Sequence, residues 1–441
     1  MVATRKKRKR RVKKEKVDLL IINANELITL KGGSEGALTG RQMQSLGIIR
    51  KGGLAVKDGR IVAVGTTSEI RKEFRAENVI SASGKIVMPG FVDPHTHLVF
   101  AGSRENEFQM MVEGASYMEI LNAGGGILKT VRETRRASVD KLLESGFKTL
   151  DVMLKHGTTT VEAKSGYGLT VKDELKILRV IKRLNQMHTV DVVPTFLGAH
   201  AVPREHKSNA QEYVNLVVKE MIPRVAAQRL AEFCDVFCER GVFSLEQSRR
   251  VLVAGKNHGL KLKVHADEMS LWGGAELAAD VGTVSAEYLH FSSEKGIKAM
   301  AEKGVVAVLL PATAFSLMTR RYADARKMIS FGVPVALGTD FSPSCWVENQ
   351  QLVIALACHF MKLTPAEAIT AATINAAHAI GRADEVGSLE AGKKADFIVL
   401  DVPNHKFLGY RFGVNLVDKV FKNGRLVFDR EEKSRWNPFL K

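Results

Sequence analysis

Residues 91–97 read Phe-Val-Asp-Pro-His-Thr-His and follow an apolar run that begins at residue 87. Side chains alternate along a strand with a period of two, so His95 and His97 are expected on the same side of it. A lone His-x-His pair is a weak indication of a metal site. Its meaning depends on the residues that end the other apolar runs of the chain.

Eight apolar runs alternate with helical patterns over about 290 residues. This alternation predicts a (β/α)8 TIM barrel with a buried parallel sheet, and a doubly wound sheet is the alternative. The barrel is favoured because most runs end in a polar side chain, and the carboxyl ends of barrel strands converge on one face. The runs are 87–92, 158–163, 190–197, 234–238, 260–264, 286–289, 305–310 and 334–337. The polar residues that end them are His95, Lys164, His200, Glu239, His265, His290 and Asp340.

Both ends of the chain show short strands and hairpin turns instead. Asp58-Gly59 and Asn423-Gly424 each separate two apolar runs, which is typical of β-hairpins. We therefore predict a small β-sandwich domain built from both chain ends, with residues 18–86 as its first part and 386–441 as its second. Residues 87–385 are predicted to form the barrel, and residues 1–17 a basic disordered tail.

The net charge of +17 is concentrated in that tail, where residues 1–16 hold ten Lys or Arg and one acid. Like-charge runs are usually solvated, and contact with an anionic surface is the alternative. No aromatic residues interleave the run and no nucleic-acid fold signature follows it, so nucleic acid is not expected as a partner of the folded part, and the basic tail is the one segment that could contact it. Four cysteines argue against a disulfide-rich secreted protein, and no apolar run approaches the roughly 20 residues that span a bilayer. The sequence predicts a cytoplasmic protein without a membrane partner.

His265, His290 and Asp340 end three later runs and would meet His95 and His97 at one end of the barrel. Imidazoles and a carboxylate can hold a divalent metal and leave a position for water. The metal lowers the pKa of that water toward 7, and a carboxylate beside it can take the proton. The residues therefore indicate metal-assisted chemistry.

The metal motif resembles that of the amidohydrolase superfamily. Residues 89–97, the histidines after runs five and six, the aspartate after run eight and residues 387–396 carry this resemblance, which covers about residues 18–430. Further motifs, in the right order, resemble the imidazolonepropionase family of histidine degradation. They lie at residues 100–104, 164–169, 196–203, 265–268 and, near the end of the chain, 403–404 with 410–415.

The resemblance implies a hydrolase that opens the cyclic amide of 4-imidazolone-5-propanoate to N-formimidoyl-L-glutamate. It implies a small-molecule substrate, a homodimer, and one Zn or Fe ion per chain. The implied metal ligands are His95, His97, His265 and Asp340. Two-metal members of the superfamily carry a lysine at the end of strand 4, where this chain has Glu239. Lys164 ends strand 2 and is misplaced for that role, so we expect a single metal ion.

The resemblance also implies roles around the metal. Asp340 would accept a proton from water, His290 would lie near that water, and Glu268 would bind substrate and move protons. Arg104 would offer a fork to the propionate carboxylate, with Tyr167 and His200 also binding substrate. The family's loop after strand 8 usually reads Asp-Phe-Asn-Pro-Gly followed by Ser or Thr, and residues 340–345 here read Asp-Phe-Ser-Pro-Ser-Cys. The expected substrate contacts of this loop are Ser342, Ser344 and Cys345.

The remaining histidines and two of the cysteines are interpreted as structural. Cys234 and Cys238 are expected to be buried thiols rather than metal ligands. One rival function is another amidohydrolase, such as a heterocycle deaminase, whose substrate would give Arg104 no carboxylate to hold. A second rival is a non-catalytic barrel scaffold, which would have no use for a complete ligand set. The structural histidines are His156, His188, His206, His258, His359, His378 and His405.

Overall fold

The structure is a computed structural model that describes residues 14–115, 119–120 and 123–431. Its strands fall into a barrel from the middle of the chain and a mixed sheet from both ends. The first strands are β1 (Glu15–Lys16), β2 (Leu19–Ile28), β3 (Ile48–Lys57), β4 (Arg60–Thr66), β5 (Phe74–Arg75), β6 (Asn78–Ser81) and β7 (Ile86–Pro89). The barrel strands are β8 (Phe91–Asp93), β9 (Thr158–Lys164), β10 (Asp191–Ala199), β11 (Phe233–Cys238), β12 (Lys261–Ala266), β13 (Ser285–Tyr288), β14 (Val306–Leu309) and β15 (Val335–Leu337). The last strands are β16 (Phe397–Leu400), β17 (Val417–Lys422) and β18 (Arg425–Asp429).

The barrel strands lie parallel and pair in chain order from β8 to β15, as the alternating pattern predicts. Between β15 and β8 the barrel closes through an isolated bridge that joins Thr96 to Phe341. Two to three residues before this bridge along each strand, the buried carboxylate of Asp93 accepts hydrogen bonds from the backbone N–H and the hydroxyl of Thr339. The seam between the first and last strands therefore consists of residues that lie beside the predicted metal ligands.

The predicted first barrel strand, residues 87–92, is divided between two sheets. Ile86–Pro89 pairs antiparallel with β16 in the mixed sheet, and only Phe91–Asp93 pairs with β9 in the barrel. Gly90 lies between them, and a Cβ at this position would approach the Thr159 side chain to 2.4 Å. Only glycine lets the chain pass so close. An apolar run cannot show this division, because both of its segments are buried.

The small β-domain predicted from both chain ends is present as one continuous mixed sheet. Its strand order is β18-β17-β16-β7-β2-β3-β4, with β6 pairing β2, and β1 pairs separately with β5. Phe397 and Phe421 stack at its centre with ring centroids 4.4 Å apart. Residues 1–13 of the predicted tail lie outside the described residues, whereas Glu15–Lys16 already form β1.

Several of the helices that separate the barrel strands begin at polar caps. The side chains of Ser138, Thr170 and Ser244 each accept a hydrogen bond from the backbone N–H three residues later, which satisfies an amide that the helix leaves free. Among the described residues no helix is long and apolar enough to cross a membrane. The α-helices are Thr67–Glu73, Glu105–Val112, Ile127–Arg136, Val139–Lys155, Val171–Met187, Ala210–Leu216, Ile222–Ala227, Leu245–Asn257, Gly274–Val281, Glu294–Lys303, Pro311–Ser316, Ala325–Ser330, Gln350–Phe360, Pro365–Ala371, Ile374–Ala379 and Phe407–Tyr410. Gly40–Gln44 and Arg204–His206 form 3-10 turns, and Val217–Met221 a π-turn.

Candidate metal centre

Four predicted metal ligands meet at the carboxyl end of the barrel, which we call the mouth. His95 and His97 follow β8, His265 lies in β12, and Asp340 follows β15. All four side chains are buried. Asp340 has a φ of 49°, a left-handed conformation that non-glycine residues rarely adopt. Strain of this kind gathers at functional sites, where surrounding contacts hold it in place.

The geometry of these four residues fits a divalent cation. The His95 Nε2 atom lies 3.4 Å from Asp340 Oδ1, and the His97 Nε2 atom lies 3.6 Å from the same oxygen. The ring nitrogens that His95, His97 and His265 can offer as ligands lie within 4.8 Å of one another. In the described part of the chain, His95 Nε2, His265 Nε2 and Asp340 Oδ1 are buried without a hydrogen-bond partner. Buried polar atoms are normally satisfied, so this donor set suits a bound ion.

Two buried carboxylates stand behind the histidines. Glu287 Oε2 lies 2.6 Å from His95 Nδ1, and Asp235 Oδ2 lies 3.0 Å from His265 Nδ1. A proton on Nδ1 facing a carboxylate leaves Nε2 with a free lone pair, which is the form that binds a metal. Lys164 joins the two carboxylates, since its Nζ lies 2.9 Å from an oxygen of each.

These charges set the electrostatics of the centre. Burial opposes ionisation of Glu287, but Lys164 and Lys263 hold the pKa of its carboxyl well below the usual range. Burial also disfavours a charged His95, yet the Glu287 carboxylate raises the pKa of this imidazole to about 9. Burial and the neighbouring His200 lower the pKa of His97 well below its usual value. The potential therefore favours a positive charge beside His95 while His97 stays neutral.

Asp340 has two oxygens in different surroundings. Its Oδ1 faces the histidines, whereas its Oδ2 accepts hydrogen bonds from the hydroxyls of Tyr288, at 3.0 Å, and Thr313, at 2.6 Å. Burial raises the pKa of Asp340, but its contacts with His95 and Thr313 lower it below the usual range. The carboxylate is therefore ionised and can accept a proton.

The structure places Tyr288, rather than His290, against Asp340. His290 lies beyond the end of β13, where its Nδ1 is 3.2 Å from the Glu268 carbonyl and its ring is 5.9 Å from that of Tyr288. Burial lowers the pKa of His290 to about 4, so its imidazole is neutral at pH 7. Burial, followed by the charge of Asp340, raises the pKa of Glu268 to about 8. Glu268 thus holds its proton at neutral pH.

Two predicted substrate-binding residues line the mouth next to His97. The His200 ring stacks on that of His97, with centroids 4.8 Å apart, and the Tyr167 ring lies 5.2 Å from His200. Burial and the nearby His265 lower the pKa of His200 to about 3. Its Nδ1 lies 3.1 Å from the Gly166 carbonyl, which fixes the ring as a donor to that oxygen.

Arg104 lies farther out, in a cleft of about 620 Å³ whose lining also includes Phe108, Ser344 and Trp346. The Nε and Nη2 atoms of Arg104 lie 2.8 and 2.7 Å from Glu107 Oε2. This leaves the other edge of the guanidinium for a ligand. The cleft is largely apolar apart from these groups, so an anion entering it would find Arg104 as its main partner.

The loop after β15 forms a tight turn. Ser342 and Cys345 exchange backbone hydrogen bonds, and the Ser342 hydroxyl lies 3.3 Å from that of Ser344. Cys345 is buried, with its thiol 3.6 Å from the Ser316 hydroxyl and 3.5 Å from the Thr339 carbonyl. The loop therefore brings Ser344 to the same cleft as Arg104, whereas the Cys345 thiol points into the protein.

The thiols and histidines interpreted as structural lie away from the centre. Cys234 and Cys238 are free and fully buried, as predicted. His156 and His359 bond to the carbonyls one turn earlier in their own helices, and His405 bonds to the Glu26 carboxylate. These contacts account for the side chains without a ligand.

Sequence reasoning missed several polar residues of the centre. The sequence carried a signal for Asp235 and Glu287, because a charged residue inside an otherwise apolar strand is buried only with a partner. Tyr288 lacked such a signal, since aromatic residues are common in strands. Thr313 and Glu107 lie on helices, and nothing local marks them as facing the mouth.

Comparison with known proteins agrees with this architecture. A model of the amidohydrolase family matches residues 86–427, and a model of an imidazolonepropionase-like composite domain of bacteria matches residues 52–76. The fold resembles that of an adenosine deaminase from Xanthomonas campestris with bound zinc, with a TM-score of 0.70, 21% identity and 95% of each chain covered. The chain belongs to the amidohydrolase family.

More similar relatives show to which family within the amidohydrolases the chain belongs. The chain is 51% identical over 417 residues to the imidazolonepropionase of Alkaliphilus metalliredigens (strain QYMF), covering 94% of this chain and 99% of that protein. It is 55% identical over 414 residues to the imidazolonepropionase of Geobacillus sp. (strain WCH70), covering 93% and 97%. Within the amidohydrolases it is therefore a member of the imidazolonepropionase family, which confirms both resemblances.

Proposed function

We propose that the chain hydrolyses the ring amide of 4-imidazolone-5-propanoate to N-formimidoyl-L-glutamate, a step of histidine degradation. The observation that carries this proposal is the buried cluster of His95, His97, His265 and Asp340 at the barrel mouth, in a chain at least half identical to imidazolonepropionases. Water adds to the ring carbonyl carbon, the bond from that carbon to the ring nitrogen breaks, and the products keep every atom of substrate and water.

The four residues of the cluster would hold one Zn or Fe ion per chain. Such an ion, when bound, supplies Lewis-acid chemistry by lowering the pKa of a water and polarising a carbonyl. Imidazole and carboxylate ligands suit both metals. Asp235 and Glu287 support this role, since they hold the Nδ1 sides of His265 and His95 and direct the Nε2 atoms to the centre.

Two carboxyl groups would move the protons. Asp340 is ionised and its Oδ1 has no hydrogen-bond partner among the described residues, so this oxygen is suited to take a proton from the attacking water. Glu268 is protonated at neutral pH and can return a proton to the departing ring nitrogen. His290 is neutral, and with a proton on Nδ1 it offers Nε2 as an acceptor near the same water.

Substrate binding is assigned to residues around the cleft. Arg104 would bind the propionate carboxylate through the guanidinium edge that Glu107 leaves free. Tyr167 and His200 would contact the ring, because their side chains stand beside His97. Ser342 and Ser344 would donate hydroxyl groups from the loop after β15. Cys345, with its thiol turned inward, would act by shaping this loop.

The remaining assignments concern the whole protein. We propose a cytoplasmic homodimer, with domain limits near residues 18–86, 87–385 and 386–441. The basic residues before position 17 would be a solvated extension. Analytical ultracentrifugation at several protein concentrations tests the dimer, and a variant lacking residues 1–13 tests whether this extension matters for turnover.

A paired assay tests the function. Purified protein is analysed for bound metal, and turnover is followed with imidazolone propionate generated from urocanate by urocanase. We expect one ion per chain and turnover that is lost in Asp340→Ala but kept in Asp401→Ala, an exposed acid that follows β16. Bound metal without turnover would discard this substrate and direct attention to heterocycle deaminase substrates. Protein that takes up no metal would instead favour the non-catalytic scaffold.

A further inference from the structure

We infer that Tyr288 and Thr313 are positioning residues that reserve one oxygen of Asp340 for the metal and the proton. They would hold Oδ2 between two hydroxyl groups, so that Oδ1 alone remains available to the histidines, the ion and the water. The inference rests on the proposed metal site and adds to it residues that the sequence motifs do not mark.

The two carboxylate oxygens of Asp340 differ in their hydrogen bonds. Oδ2 accepts from the Tyr288 hydroxyl at 3.0 Å and from the Thr313 hydroxyl at 2.6 Å. Oδ1 lies 3.4 Å from His95 Nε2 and is buried without a hydrogen-bond partner among the residues described. A carboxylate oxygen can accept about two hydrogen bonds in its plane, so two donors fill Oδ2 and fix the rotation of the group.

The backbone of β13 is bent so that Tyr288 reaches this position. Glu287 and Tyr288 are consecutive, yet both side chains approach His95: the Glu287 carboxylate at 2.6 Å and the Tyr288 ring with centroids 5.6 Å apart. In a regular strand consecutive side chains point to opposite faces. Tyr288 and Leu289 both have left-handed φ values, 71° and 61°, which turn the tyrosine inward.

Such a backbone is unfavourable for an aromatic residue unless other contacts hold it. The tyrosine ring is held by packing against His95 and His265, with centroids 5.6 and 5.3 Å away. Phenylalanine would fill the same space and keep these contacts. The packing alone does not require a tyrosine. We therefore attribute the strained backbone at residues 288 and 289 to the placement of the Tyr288 hydroxyl against Asp340.

Thr313 approaches Asp340 from a separate element. It belongs to the short helix Pro311–Ser316, which follows β14, and its side chain is buried. Two neighbouring segments of the barrel thus each supply one hydroxyl to the same oxygen. Removing either hydroxyl leaves the carboxylate with one donor and freedom to rotate Oδ2 toward the ion.

The test compares cobalt-loaded and zinc-loaded full-length proteins. In Tyr288→Phe we expect the visible absorption of bound Co(II) to change in position or intensity, because Asp340 presents a different oxygen or both. We expect kcat to fall about 10–100-fold with KM nearly unchanged, the range found when groups that orient metal ligands are removed. Thr313→Val should act in the same direction, and Thr313→Ser should restore the wild-type spectrum and rate.

Tyr213→Phe is the matched control. Its buried hydroxyl donates to the Gly198 carbonyl, so the change removes one buried tyrosine hydroxyl away from Asp340 and should leave the cobalt spectrum unchanged. Wild-type spectra and kcat in both Tyr288→Phe and Thr313→Val would overturn the inference while leaving the metal site intact. A wild-type protein that binds neither cobalt nor zinc would overturn the metal site, and the inference with it.

Discussion

The inside of the barrel and the mixed sheet are both built from buried strands, yet the side chains at their centres differ. Below the mouth, Lys164 and Lys263 lie fully buried among carboxylates. At the core of the mixed sheet, apolar residues surround the stacked rings of Phe397 and Phe421, although buried acids such as Asp418 also pair with lysines there. Buried charge contributes little to stability because its desolvation offsets its pairing. The comparison teaches that the barrel interior serves the metal centre, whereas the mixed sheet serves the fold.

The largest effect is expected at the mouth, where an isosteric change should remove activity and leave the fold. Asp340→Asn replaces a proton acceptor and anionic ligand by an amide of the same shape. We expect kcat to fall about 10²–10⁴-fold, the range of general base catalysis, with a urea midpoint close to that of wild type. A variant that keeps more than a tenth of the wild-type rate would contradict the assignment of catalysis to the barrel mouth.

In the mixed sheet we expect a substitution to lower stability and to leave the activity of the folded protein unchanged. Phe397→Ala removes a fully buried ring from the stack on Phe421 and should lower the free energy of unfolding by about 3–5 kcal/mol. The kcat of the remaining folded protein should stay at the wild-type value. Urea denaturation followed by fluorescence measures the first quantity, and Phe412→Ala, at a largely exposed ring, is the control. A loss of kcat equal to that of a mouth variant would contradict the division of roles.

An intermediate effect is expected for the carboxylate behind His265. Asp235→Asn removes the charge that faces Nδ1 of this imidazole, and zinc affinity should fall about 10–100-fold in competition with a chromophoric chelator. Asp418→Asn changes a buried acid of the mixed sheet that pairs with Lys85 at 2.8 Å. Equal zinc affinities for these two variants would show that buried carboxylates act alike in both regions.

The smallest effect is expected at a helix cap beside the mixed sheet. The Thr66 side chain accepts a hydrogen bond from the backbone N–H of Glu69 at the start of the helix Thr67–Glu73. Thr66→Ala should lower the free energy of unfolding by about 1 kcal/mol, Thr66→Ser by much less, and neither should alter zinc affinity. A change in zinc affinity here would show that the mixed sheet communicates with the mouth.

Much of this organisation could be predicted from the sequence. The alternation of apolar runs with helices and the polar residues after the runs were enough to predict the barrel, because those patterns reflect which side chains face inward. The division at Gly90 could not be predicted, since a buried strand looks the same in either sheet. The hairpin turns at both ends predicted a small β-domain without its strand order, which depends on contacts between residues far apart in the chain.

The metal cluster was predictable from the same pattern. Histidines and an aspartate follow several strands, and residues at the carboxyl ends of barrel strands converge on one face. The contact of Tyr288 with Asp340, which the sequence did not predict, shows the limit of this reasoning. Counting along a regular strand cannot anticipate two left-handed residues, 288 and 289, that turn a side chain inward. The hydroxyl of Thr313 likewise reaches Asp340 only through the packing of a helix that the pattern does not orient.

The pairing of β7 with β16 has a consequence for how the protein is made. Roughly 300 residues separate these strands along the chain, so β7 leaves the ribosome long before its partner exists. At about 5–20 residues per second the delay is about 15–60 s. During that time β2 and β3 can pair locally, but β7 presents an open apolar edge. The newly synthesised chain therefore passes through a period in which this edge can bind a chaperone, and synthesis of β16, β17 and β18 completes the sheet.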